Sequence, residues 1–128
     1  MKSRRKIYTP LAPAPIGAYS QGIVAQGLVF TAGQIPLNPE TGKLVEGDFA
    51  ERVDQVLHNL NAVLAAGGTD LSHAVKLTVF LTDLTRFSVV NEILAKRFEG
   101  FDPPARSVVE VPALPAGADI EIECVATV

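Results

Sequence analysis

The chain has 128 residues, 48% hydrophobic and 20% charged, with a formal net charge of −3. That length fits one domain, 1–128, built on one core, and the small size makes help from oligomerisation reasonable. The acidic balance excludes a broad electrostatic grip on nucleic acid or an anionic membrane, and no stretch approaches the roughly 20 apolar residues of a membrane span.

The chain opens on a basic cluster, Lys2, Arg4, Arg5 and Lys6. Residues 1–7 are expected to form a flexible basic tail. Pro10, Pro13 and Pro15 interrupt the segment that would have to be apolar in an export signal, so a cytoplasmic location is expected. Two short apolar runs, Gly22 to Ala25 and Leu28 to Ala32, flank Gln26-Gly27 and predict a hairpin. Pro36 to Gly42 follows as a loop, since its prolines fix φ and its glycine permits a reversal. Between Asp48 and Ala66, Phe49, Val53, Val56, Leu57, Leu60, Val63 and Leu64 recur at helical spacing, with Asp48 placed to cap the start and Gly67-Gly68 to close the end through left-handed dihedrals.

Val75, Leu77, Val79 and Leu81 alternate with Lys76, Thr78, Phe80 and Thr82, predicting a strand with one buried face that ends at Asp83. A second helix is expected over Phe87 to Phe98, turned inward on Val90, Leu94 and Phe98, with Gly100 beyond it. Arg106 to Val111 and Ile120 to Val128 read as two further strands around a Pro-rich loop. The order implies an α+β fold with two helices on one face of a sheet. The other face needs cover, and a sister subunit is the simplest source.

Arg106 follows Pro103-Pro104-Ala105 and enters an apolar strand, which predicts a guanidinium held near a rigid bend among residues that exclude water. Its planar fork suits a carboxylate through two charge-assisted hydrogen bonds. An ordinary salt bridge fits the composition equally well. Glu121 and Glu123 share one strand face, with Ile120, Ile122 and Cys124 opposite. They are either solvated surface charges or include a general base that orients and deprotonates a water.

Gly33 at a strand end could let a ligand approach its N–H, or could simply turn the chain. Tyr19 is either a cleft wall with a hydroxyl or a core tyrosine. His58 and His73 are too far apart in sequence for a local metal motif and read as structural; Cys124, the single cysteine, reads as a buried strand thiol. Phosphate-loop, dinucleotide and serine-hydrolase signatures are all missing.

Four segments act together: IGAYSQG at 16–22, FTAGQIPLNPETG at 30–42, PPARSVVEV at 103–111 and DIEIECVA at 119–126. They closely resemble the RidA (YjgF-like) family of reactive-intermediate deaminases over nearly the whole chain from about residue 8. The resemblance implies a chorismate-mutase-like α+β fold assembled as a homotrimer with clefts between subunits. It also implies hydrolysis of 2-iminopropanoate and 2-iminobutanoate, by-products of pyridoxal-phosphate-dependent dehydratases, to 2-oxo acids and ammonia without a cofactor, while the charge balance and residue spacing predict no metal and neither nucleic acid nor membrane as partner.

Matched position by position, the family's substrate arginine falls on Arg106, its water-associated glutamate on Glu121, its cleft tyrosine on Tyr19, its carboxylate-binding glycine on Gly33 and a nearby asparagine on Asn91. The position two after the arginine is Val108, which can take part only through its backbone carbonyl. Ala32 stands where many relatives have serine, which bears on substrate choice. Two other functions remain open: a non-catalytic binder of small carboxylates, and the endoribonuclease or translation-inhibitor activity ascribed to some members of the family.

Overall fold

The computed structural model describes residues 3–128; Met1 and Lys2, the beginning of the basic cluster, lie outside the described residues. Six strands form one sheet: β1 (Arg5–Ile7), β2 (Gly22–Ala25), β3 (Leu28–Thr31), β4 (Ala74–Leu81), β5 (Ala105–Glu110) and β6 (Ile120–Thr127). They lie in the order β1-β2-β3-β6-β4-β5. Two helices, α1 (Phe49–Ala66) and α2 (Phe87–Arg97), complete the α+β architecture. The β4–β5 pair is parallel, joined by the α2 crossover, and every other pairing is antiparallel.

The hairpin turn forms because Gln26 and Gly27 both take positive φ, 54° and 73°, the conformation that matches the twist of paired strands. In α1, the Asp48 side chain accepts a hydrogen bond from Glu51 N at 2.9 Å, as its N-cap role requires. Only one of the two closing glycines is left-handed: Gly67 has φ −88°, whereas Gly68 has φ +92°. The buried stripe Val53, Val56, Leu57, Leu60, Val63 and Leu64 packs with Val90 and Leu94 of α2 against Leu77, Val79, Leu81, Ile120, Ile122 and Cys124 of the sheet. Burial pushes the Cys124 thiol up to about 12.

Two expectations need correction. Arg5–Ile7 is a strand paired to β2, not part of a flexible tail. Ile7 is 2% exposed in the core, and its apolar side chain contributes about 2 kcal/mol toward docking a segment that is otherwise basic. Val75 does not join the buried row of β4 but is 44% exposed. The register with β6 slips between Ala74 and Lys76, so Val75 is the extra residue of a bulge and period-two inference fails there.

The Asp119 carboxylate ties the elements at one end of the sheet. Its Oδ2 accepts from Arg52 Nη1 of α1 at 2.8 Å and from Arg86 Nη1, just before α2, at 3.1 Å. No described helix is long and apolar enough to cross a membrane.

Candidate active site

Arg106 pairs across the parallel ladder with Leu77, whose side chain is buried beneath the helices. Paired residues share a face, so the guanidinium leaves the sheet on the helix side and meets α2. Its Nη1 donates to Asn91 Oδ1 at 2.9 Å. Its central carbon sits 4.7 Å from the centroid of the Phe87 ring. Phe87 and Asn91 are four residues apart and therefore on one helix face.

This clamp leaves Arg106 exposed, with no ion pair to any described residue. The expected water-excluding surroundings exist on one side only. There a cavity of about 580 Å³ is walled by Leu77, Leu94, Phe98, Pro103 and Pro104. Val108 shares the helix-side face and packs its side chain against the core. As β5 is the outermost strand, alternate peptide groups along it present N–H and C=O away from the sheet.

Glu121 lies on the opposite, uncovered face, opposite Phe80 in register. Its carboxylate packs over Gly33, where a Cβ would stand 2.6 Å from Oε2. The space left by the missing Cβ is thus filled by Glu121. Ala32 N donates to Gln21 O beside β2 and Gln34 N to Ile122 O of β6, so the chain changes partner strands across Gly33, whose N–H has no backbone acceptor among the described residues. Tyr19 is 53% exposed, and its hydroxyl accepts from Ile16 N at 3.3 Å. Tyr19, Gly33 and Glu121 line one cavity of about 550 Å³ with Ile35, Pro13 and Ala116. Burial, and secondarily the Glu123 charge, raises the Glu121 pKa above the ordinary carboxylate value.

The predicted residues therefore fall into two groups on opposite faces: Arg106, Asn91 and Val108 on the helix side; Tyr19, Gly33 and Glu121 on the open side. Within a single chain they do not converge. Sequence reasoning missed Phe87, which its spacing four residues before Asn91 could have signalled. It also missed two buried amides that hold the walls. Gln21, 1% exposed, accepts from Thr9 N and donates to the Thr9, Ala12 and Pro13 carbonyls. Asn59 of α1 donates to the Ile35 and Leu37 carbonyls. His58 and His73 line neither cavity; His73 Nδ1 lies 3.0 Å from Asp70 Oδ1. Among the described residues, no group of three or more His, Cys, Asp or Glu side chains is placed to hold a metal ion.

The family model described as Endoribonuclease L-PSP matches residues 9–128. This chain belongs to that family, the RidA (YjgF-like) family. Among RidA relatives, the chloroplastic Reactive Intermediate Deaminase A of Arabidopsis thaliana is 50% identical over 121 residues, covering 94% of this chain and 64% of the relative. The 2-iminobutanoate/2-iminopropanoate deaminase of Rattus norvegicus is 46% identical over 123 residues, 96% of this chain and 89% of the relative. A crystal structure of the Rid-family protein YyfA from Yersinia pestis, of unknown function, superposes with a TM-score of 0.95 at 48% identity, covering 98% of this chain and all of that one.

Proposed function

We propose that this chain hydrolyses 2-iminobutanoate and 2-iminopropanoate to the 2-oxo acids and ammonia, in clefts formed between adjacent subunits of a chorismate-mutase-like homotrimer. The observation that carries the reading is Arg106, oriented by Asn91 and Phe87 yet lacking any carboxylate partner among the described residues. The deaminase relatives support the reaction class. The separation of the two residue groups on opposite sheet faces supports clefts that join Arg106 of one copy to Gly33 and Glu121 of another. The single cysteine fits a cytoplasmic setting.

In this reading the substrate carboxylate pairs with Arg106 and the Gly33 N–H, and C2 is presented to a water beside Glu121. Water oxygen adds to C2 as its proton passes to the Glu121 carboxylate and the C=N electrons move to nitrogen. Glu121 hands that proton to the nitrogen to complete the carbinolamine, then takes the hydroxyl proton as C=O forms and passes it to nitrogen, so that the C–N bond breaks and ammonia leaves. The proton affinity of Glu121, raised by burial and secondarily by Glu123, suits a group that takes a proton and returns it. Positioning supplies most of the acceleration.

Arg106→Ala should lower kcat/KM for 2-iminobutanoate by roughly 100-fold or more, in line with loss of a sheltered charge-assisted pair. Ammonia release from freshly generated imine is the measurement, and an unchanged rate would remove Arg106 from the site. The same assay separates the enzyme from a binder, for which Arg106 and Gly33 would suffice without Glu121. A nuclease reading has less support, because phosphate binding usually leaves a basic footprint and the net charge here is −3.

A further inference from the structure

A third cavity, of about 630 Å³, lies on the uncovered face beside the Glu121 cavity, and Tyr19 and Ala32 belong to the walls of both. Its far side carries Arg4 and Lys6. Lys6 pairs with Ile23, and Ile23 with Phe30, so these residues share that face, whereas the alternate residue Ile7 enters the core. Ser20 adds a hydroxyl, whereas the buried Thr31 hydroxyl is engaged by Cys124 N, and no acidic side chain lines the cavity. Neither Arg4 nor Lys6 forms an ion pair with a described residue. In a chain of net charge −3, two adjacent uncompensated cations make a local positive field next to the reaction centre.

Resting on the proposed reaction at Glu121, we infer that Arg4 and Lys6 form a second anion subsite that extends the substrate range to 2-imino dicarboxylates. With the first carboxylate on Gly33 and Arg106 and C2 at Glu121, a longer substituent runs past Tyr19 over the small Ala32 side chain. A carboxylate at its far end reaches the two cations. Larger side chains at position 32 would narrow that passage.

The test compares 2-iminobutanoate with iminosuccinate and iminoglutarate, each generated in place from its amino acid by a coupled oxidase. It uses the full-length chain, the Arg4→Gln/Lys6→Gln double variant, and an Arg5→Gln control whose side chain lies on the other sheet face. The double variant should lose about tenfold in kcat/KM for at least one dicarboxylate and less than about twofold for 2-iminobutanoate, the scale of two partly exposed charge contacts. Raising ionic strength from about 0.05 to about 0.5 M should erode the dicarboxylate rate of the unsubstituted chain but not of the double variant.

An equal fall for all three imines, or no fall, overturns the subsite. So does failure to turn over either dicarboxylate by a chain that hydrolyses 2-iminobutanoate, and that pattern leaves the reaction itself intact. Failure with 2-iminobutanoate as well overturns both.

Discussion

Glu121 is costlier to ionise than an ordinary surface glutamate, first because it is partly buried over Gly33 and second because Glu123 shares its strand face. A folded-state pKa above the unfolded value means that stability falls as pH rises through the interval between the two, and that the penalty is absent below the unfolded value. Glu121→Gln should therefore hold or raise Tm at pH 7 while lowering kcat/KM about 100-fold, a pairing that thermal melts and the ammonia assay can read together. The acidic limb of the kcat/KM profile should lie above the ordinary glutamate range. Glu123→Gln should move it part of the way down, since burial, the larger cause, remains. That Arg106 enters a strand after a double proline and that Glu121 and Glu123 share a strand face were legible in the sequence, but the residues alone left an ordinary salt bridge and solvated charges open, and the proposed roles came from the family resemblance. Phe87 under Arg106, and the use of Gly33 as a seat for Glu121, were not legible, because both depend on contacts between segments far apart in the chain.

At the scale of elements, α1 was readable because its surroundings did not have to be known: one apolar stripe and an aspartate cap specify it locally. β1 was not, because three residues with two basic side chains carry too little periodicity; only the pocket awaiting Ile7 makes them a strand. The bulge at Val75 was hidden for the same reason, since it is defined by the partner strand rather than by β4. The Thr9–Pro13 segment, an irregular stretch that walls the Glu121 cavity, is held by Gln21. Gln21→Leu should cost about 2–3 kcal/mol by leaving several inward-facing backbone groups unsatisfied, measured by denaturant unfolding. The same variant should raise KM more than it lowers kcat, as the wall beside Tyr19 loosens.

For the molecule as a whole, local patterns yielded two helices on one sheet face but not the strand order, and so not the fact that Arg106 and Glu121 emerge on opposite sides. Hydrodynamic measurements should give about three times the 13.6 kDa chain mass. Arg106→Ala and Glu121→Gln chains, each impaired about 100-fold alone, should regain about a quarter of full activity when refolded together at equal amounts, since random assembly leaves that share of shared clefts with both residues. No recovery would place both residues' work within one chain. The molecule's one thiol, Cys124, is 2% exposed in the middle of the sheet. With its pKa near 12, only about one molecule in 10⁵ would carry the reactive thiolate at pH 7. Thiol-directed alkylating reagents thus meet almost no thiolate here, and a catalyst that disposes of electrophilic metabolites is itself a poor target for them.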